Sequence, residues 1–169
     1  KNKQKSYFII GIFAVILSLI FYALCNYFEL GIMGVILAII FSILTTWTTY
    51  YNSDKIVLSL NGARPATREE NQLMYENLEG LCIAAGLPMP RLYIMEDGSP
   101  NAFATGRNPE NAVICVTTGL MNKLDMYELE GVLAHELSHI KNYDILLQTI
   151  ASVFVSITTI LSDFFLRIT

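Results

Sequence analysis

The segment DMYELEGVLAHELSHIKNYD, residues Asp125 to Asp144, contains the pattern on which the interpretation of this sequence depends. Asp125 and Glu128 form a capping box that predicts a helix start. Apolar residues then recur at helical spacing: Leu129, Val132, Leu133, Leu137 and Ile140. On such a helix His135 and His139 share one face and are separated by about 6 Å along the axis. Two imidazoles so placed can bind one tetrahedral Zn2+.

Glu136 completes a His-Glu-x-x-His pattern and projects to one side of the two histidines. This position suits a carboxylate that takes a proton from a zinc-activated water without binding the metal itself. A pattern of five residues can also arise by chance in an ordinary helix. His135 and His139 are the only histidines of the chain, however, which favours a metal-binding role.

Composition indicates a membrane protein. Only 15% of the 169 residues are charged and the mean hydropathy is +0.46. Residues 7–28 and 30–51 are uncharged segments of 22 residues, each long enough to cross a bilayer core of about 30 Å. Only Glu29 separates them, so the sequence predicts a transmembrane hairpin. Residues 145–162 predict a third apolar helix that spans or is embedded in the membrane.

The charge pattern predicts the orientation of the hairpin. Lys1, Lys3 and Lys5 lie in residues 1–6 with no acidic residue, so the positive-inside rule assigns this N-terminus to the cytoplasm. Two crossings then return the chain to the cytoplasmic side. Residues 52–144 hold seven Lys and Arg against thirteen Asp and Glu, and a region this acidic is not expected to bind nucleic acid.

Residues 52–144 are predicted to form one small domain. A second capping box, Thr67 to Glu70, predicts a helix that Gly86 ends. Arg91–Met95 and Ala112–Thr117 alternate and are rich in β-formers, so they predict strands, and residues 101–106 are a candidate third strand. The expected fold class is α+β: a helical transmembrane hairpin, a small domain whose zinc-binding helix is flanked by a short sheet, and a third apolar helix. The three cysteines, Cys25, Cys82 and Cys115, are dispersed and predict buried thiols.

Three segments carry a family resemblance: AAGLPMPRLYI at residues 84–94, SPNAFATGRNPENAVICVTTGL at residues 99–120, and the segment from Asp125 to Asp144. Together with the two N-terminal spans, they resemble the HtpX family of membrane-bound zinc metalloproteases. The resemblance implies a multi-pass protein of the cell inner membrane with its protease domain facing the cytoplasm. It also implies one Zn2+ per chain and polypeptide substrates, namely misfolded or damaged membrane proteins.

The resemblance further implies roles for individual residues. His135 and His139 match the zinc ligands, and Glu136 matches the catalytic base. The positions that match a substrate-aligning edge strand are Asn101, Ala102 and Phe103. Asp144 matches an acid that orients a ligand histidine, although a solvated residue at the helix end is the alternative.

The sequence departs from the family pattern after residue 144. The family takes a third zinc ligand, a Glu, and an oxyanion-stabilising group from a later helix, and the only carboxylates after His139 here are Asp144 and Asp163. Asp163 sits at the far end of an apolar run, which makes it a poor ligand candidate. We therefore expect the chain to be the N-terminal portion of a longer protease that is inactive alone. The alternative is a non-catalytic membrane module, a pseudoprotease that binds peptides or a partner.

Overall fold

The computed structural model describes residues 2–168, except for the side chains of Asn2, Ile160, Leu161, Phe164, Phe165 and Ile168. Lys1, part of the predicted basic N-terminus, lies outside the described residues. The chain is mostly helical with one small sheet. It divides into two compact units, residues 1–52 with 150–169, and residues 53–149.

The first unit is built from apolar helices. Helix α1 spans Asn2–Tyr27 and helix α2 spans Gly31–Leu60, with a non-helical backbone at Asn52, directly after the predicted end of the second span. Both helices are long and apolar enough to cross a membrane. Helix α6 spans Ile145–Ile168, and its part from Ile150 onwards belongs to this unit. The apolar stretch of this helix, Ile145–Thr159, is shorter than a typical membrane span.

Small and hydroxyl-bearing residues pack α1 against α2. The Ser42 hydroxyl donates to the Ala14 carbonyl at 2.8 Å and accepts from the Ser18 hydroxyl at 2.8 Å. At Gly34 a Cβ atom would come within 2.8 Å of the Cys25 Cβ, so only glycine fits there without displacement. In lipid no hydrophobic effect drives helices together. Helices there associate through close approach at small residues and through interhelical hydrogen bonds.

The second unit contains a four-stranded sheet in the order β1-β2-β4-β3. Strand β1 (Arg64–Pro65) is antiparallel to β2 (Arg91–Met95), β2 is parallel to β4 (Val113–Thr117), and β3 (Ala102–Thr105) is antiparallel to β4. Strand β4 is therefore internal and β3 forms one edge. All five residues of β4 are buried, because both faces of the sheet are covered.

Helices cover one face of the sheet. Helix α3 (Gln72–Ala85) and helix α5 (Met126–Lys141) pack on the side chains of Ile114 and Val116. The residues of these two helices that enter the core are Met74, Leu78, Cys82, Leu129, Leu133, Leu137 and Ile140. On the other face Leu58 packs with Val113 and Cys115. The sheet therefore packs against the buried side of α5, the helix that carries the His-Glu-x-x-His segment.

The start of α3 differs from the sequence prediction. Thr67 accepts a hydrogen bond from the Glu70 backbone at 3.4 Å, but the helix begins only at Gln72. The Glu70 carboxylate pairs with Arg64 at 3.1 Å instead of reaching back to cap the first turn. The end of the helix is as predicted, because Gly86 adopts a left-handed conformation with φ 68° and its N–H bonds to the last turn.

Besides a short 3-10 helix at Pro109–Asn111, two elements were not predicted from the sequence. Strand β1 has only two residues, too few for alternation to be detected. Helix α4, Thr118–Lys123, directly follows β4, and the Thr117 hydroxyl caps it by accepting from Leu120 N–H at 3.2 Å. The predicted capping box of α5 is confirmed, with Asp125 and Glu128 each accepting the other's backbone N–H.

Candidate metal centre

Helix α5 places the two histidines on its outward face. Leu133, Leu137 and Ile140 bury the opposite face against the core, which fixes the rotation of the helix about its axis. His135 is exposed and the His139 side chain is 28% exposed, so both rings are accessible to a metal and a substrate. The geometry follows directly from the four-residue spacing on one helix.

The two imidazoles converge. Nε2 of His135 and Nε2 of His139 lie 3.2 Å apart, and the rings are nearly perpendicular at 88°. Two nitrogens that each bind one tetrahedral zinc ion at about 2.0–2.1 Å are separated by about 3.3 Å. The pair therefore fits two corners of a zinc coordination shell without rearrangement.

Glu136 lies beside the pair and is 8% exposed. Burial raises the pKa of its carboxyl group. His139, His135 and a hydrogen bond from the Ala104 backbone act in the opposite direction but do not cancel the effect of burial. A carboxylate whose pKa is raised is a stronger proton acceptor than one in open solvent, as a general base requires.

Asp144 lies on the other side of His139. Its carboxylate Oδ2 is 3.7 Å from His139 Nδ1, the ring nitrogen that faces away from His135. The approach depends on the turn after α5, where Tyr143 adopts a positive φ of 59° and the Asp144 N–H donates to the His139 carbonyl at 3.0 Å. A carboxylate near the second nitrogen of a metal-binding histidine favours the tautomer in which Nε2 can bind the metal.

The edge strand β3 runs beside Glu136. Its register is fixed by the Thr117 N–H, which donates to the Asn101 carbonyl at 3.0 Å. In an antiparallel ladder the backbone groups alternate, so those of Ala102 and Ala104 point away from β4. The Ala104 N–H is the group that meets the Glu136 carboxylate.

The candidate site residues therefore divide into two groups. His135, Glu136, His139 and Asp144 come together around one point on α5. Asn101, Ala102 and Phe103 lie on or directly before β3, with Ala102 directing its backbone groups to the open edge. Sequence reasoning missed Ala104, because its contact with Glu136 joins residues far apart in the chain and an alanine carries no chemical signal.

Within residues 2–168, no group of three or more His, Cys, Asp and Glu side chains is arranged to hold a metal ion. Asp163 is exposed on α6, in the other compact unit, and Asp144 approaches His139 Nδ1 and not the two Nε2 atoms. The described residues thus offer two candidate nitrogen ligands, whereas a catalytic zinc centre normally has three protein ligands.

Comparison with known proteins identifies the class to which this fold and site belong. Residues 68–167 match Peptidase family M48, and the chain is a member of that family. It is 48% identical over 162 residues to a Protease HtpX homolog of Dictyoglomus thermophilum, an alignment covering 96% of this chain and 54% of the relative. It is 46% identical over 167 residues to a Protease HtpX homolog of Thermoanaerobacter pseudethanolicus, covering 99% and 56%.

The resemblance to HtpX-type proteases is therefore confirmed. A Protease HtpX homolog of Listeria innocua is 50% identical over 118 residues, or 69% of this chain and 39% of the relative. The chain spans about half the length of the curated relatives it matches. Two helices long and apolar enough to cross a membrane fit a membrane protein of this family.

Proposed function

We propose that the chain is the part of a membrane-bound, zinc-dependent endopeptidase that carries two zinc ligands and the catalytic base. His135 and His139 would hold one Zn2+ per chain, and Glu136 would be the base. The proposal rests on one observation above all: two Nε2 atoms 3.2 Å apart beside a buried carboxylate. Membership of Peptidase family M48 supports the same reading.

The residues of the chain divide the chemistry among them. When bound, zinc polarises a carbonyl group and lowers the pKa of a water ligand. Glu136 accepts a proton from the attacking water and later donates it to the leaving amine. The Ala104 N–H, by bonding to the carboxylate, keeps it aimed beside the histidines. Asp144 holds the His139 ring in the orientation that presents Nε2.

The substrate would bind as an extended peptide. Strand β3 is an edge strand, and the outward backbone groups of Ala102 can pair with a peptide added as a further strand. Asn101 and Phe103 flank this position. The peptide would then pass next to Glu136, because Ala104 of the same strand contacts that side chain.

Misfolded or damaged membrane proteins are the proposed substrates. The two apolar helices would anchor the protein in the cell inner membrane as a multi-pass protein, with residues 52–144 on the cytoplasmic side. The three N-terminal lysines support this orientation. The name Protease HtpX homolog, carried by the relatives, supports the peptidase activity.

A second candidate function is a non-catalytic membrane module that binds peptides or a partner without cutting. It is favoured by the observation that no three potential ligands meet among residues 2–168. Under the first proposal a third ligand, a Glu, and an oxyanion-stabilising group come from a segment outside the 169 residues, since the relatives are nearly twice as long as the aligned part. Loss of one such oxyanion donor alone costs about 3 kcal/mol of transition-state stabilisation.

The two functions predict different behaviour on chain extension. A protease would show no measurable cleavage with residues 1–169 and would cleave casein once the chain is extended to the length of its relatives. A binding module would cleave in neither form. Chelator-sensitive cleavage by residues 1–169 alone would instead show that Asp144, Asp163 or a second copy completes the centre.

Substitution of Glu136 by Gln in the extended chain tests the base. We expect Glu136→Gln to retain zinc, because both imidazoles stay, and to lose nearly all cleavage, because the proton acceptor is gone. Glu130→Gln, on the same helix and outside the site, is the matched control and should cleave normally. Wild-type cleavage by Glu136→Gln would exclude Glu136 as the base.

A further inference from the structure

A buried threonine hydroxyl holds each end of the edge strand β3. At the N-terminal end, Thr117 Oγ1 accepts from the Asn101 N–H at 2.9 Å and lies 2.8 Å from the Ser99 carbonyl and 3.0 Å from the Asn101 carbonyl. Thr117 is 1% exposed. This contact is local to the sheet, since Thr117 is the last residue of the neighbouring strand β4.

At the C-terminal end the hydroxyl comes from helix α6. Thr149 Oγ1 lies 2.8 Å from Thr105 Oγ1 and 3.1 Å from the Gly106 backbone nitrogen. It also lies 2.5 Å from the Ile145 carbonyl of its own helix. Thr105 and Thr149 are 1% and 2% exposed, so water does not compete for these bonds.

Counting donors assigns the direction of each bond. A threonine hydroxyl has one hydrogen and two acceptor lone pairs. The Ile145 carbonyl can only accept, so the Thr149 hydrogen goes to it. The Thr105 hydroxyl and the Gly106 N–H must then both donate to Thr149, which uses its full bonding capacity. Replacing the Thr149 hydroxyl by a methyl group would leave two buried donors at the C-terminal end of β3, the Thr105 hydroxyl and the Gly106 N–H, without this acceptor.

The position of Thr149 connects β3 to the rest of the site. Helix α6 begins at Ile145, directly after Asp144, whose carboxylate faces His139. Thr105 directly follows Ala104, whose N–H meets Glu136. Asp144, directly before α6, therefore faces His139, and Thr149, about one turn into α6, contacts the edge strand.

We propose that Thr149 is a positioning residue that tethers the edge strand β3 to the first turns of α6 and so sets the register in which a peptide adds beside Glu136. The peptide-aligning role rests on the proposed peptidase function. The tether itself is a property of the protein without metal or substrate, and it can be measured separately.

Hydrogen exchange of the metal-free chain in detergent micelles measures the tether. We expect Thr149→Val to accelerate exchange of the amides of residues 102–106 by about tenfold, because a buried donor loses its acceptor. Thr149→Ser, which restores the hydroxyl, should exchange like the wild type. Thr159→Val is the matched control, because Thr159 bonds within its own helix, to the Val155 carbonyl, and should leave β3 unchanged.

A second variant guards against misfolding of the first. Thr105→Val removes the shared hydroxyl pair from the strand side, and the two effects should be less than additive in the double variant, since both delete one contact. In the extended, zinc-loaded chain, Thr149→Val should raise KM for a peptide by about tenfold with a smaller change in kcat, because peptide alignment is weakened.

Unchanged exchange in Thr149→Val, or failure of Thr149→Ser to restore slow exchange, would overturn the tether. Fast exchange with an unaltered KM would overturn the peptide-aligning role. Fast exchange in a protein that cleaves no peptide in any form would support the tether and count against the proposed peptidase.

Discussion

The Asp144 carboxylate and the His139 ring face each other at 3.7 Å across the turn that ends helix α5. The backbone joins the same two residues, because the Asp144 N–H donates to the His139 carbonyl at 3.0 Å. The backbone bond keeps Asp144 next to His139, and the side chain then reaches the Nδ1 side of the ring. This arrangement gives the acid a role that can be measured.

Asp144→Asn is expected to weaken zinc binding by about 10–100-fold, because the amide orients and polarises the imidazole less than a carboxylate does. Competition against a zinc chelator measures the change. Asp163→Asn, an exposed acid on α6, should bind zinc as the wild type does. Equal affinity of Asp144→Asn and wild type would assign Asp144 to the alternative role of a solvated helix-end residue.

Single histidine substitutions test the ligands themselves. His135→Ala and His139→Ala should each lose bound metal, because each variant keeps only one of the two imidazole ligands on α5. Elemental analysis after dialysis reads this out. Ser138→Ala is the control, since Ser138 lies between the histidines and its hydroxyl donates to the His135 carbonyl at 2.6 Å. Stoichiometric zinc in both histidine variants would move the ligands elsewhere.

The orientation in the membrane can be tested by cysteine labelling. In a chain with Cys25 replaced by Ala, an impermeant maleimide should label Glu29→Cys from outside intact cells, because Glu29 lies in the exposed turn between α1 and α2. Glu110→Cys, exposed in the second unit, should label only after permeabilisation. The reverse pattern would contradict the positive-inside assignment of the N-terminus.

The buried thiol of Cys115 predicts a pH dependence of stability. Burial in strand β4 raises its pKa from 9.0 to about 11 in the folded protein. Above about pH 9 the unfolded chain ionises this thiol while the folded chain does not, so the stabilising effect is present below pH 9 and is lost as the pH rises towards 11. Cys115→Ala should lose less stability than the wild type over this interval in denaturant titrations.

Burial, and to a smaller extent the charge of Glu79, raises the pKa of the Cys82 thiol. Cys82 therefore adds to the loss of stability at high pH in both the wild type and Cys115→Ala. The comparison with Cys115→Ala removes its contribution. Identical pH profiles for the two proteins would show that Cys115 is not the titrating group.

Local signals in the sequence predicted the elements that carry them. The capping box at Asp125 and the apolar period behind it determine α5, and the four-residue spacing determines how His135 and His139 converge. Helix α3 ends at Gly86 as predicted, because this type of helix end requires only that the glycine adopt a left-handed conformation. The predicted start of α3 was wrong because Glu70 pairs with Arg64 of strand β1. A local helix-start pattern carries no information about such a contact.

The parts of the site that could not be predicted join distant segments. Ala104 meets Glu136, and Thr149 meets Thr105, only because the sheet and helices bring them together. Neither an alanine in a strand nor a threonine at the start of an apolar helix has a pattern that distinguishes it from ordinary packing. The apolar spacing of α3 also predicts a buried Leu73, but this side chain is 54% exposed.

The complete burial of strand β4 has a consequence for how the sheet finds its alignment. A strand with one polar face resists slipping by one residue, because the slip would bury polar side chains. Val113 to Val116 are apolar on both faces, so a slipped β4 would lose little by that criterion. The rim of the sheet supplies a more specific signal, because the Thr117 hydroxyl there accepts from the Asn101 N–H, next to the start of β3. A polar atom at the border of the most apolar strand thus favours one alignment of β3 on β4 over its neighbours.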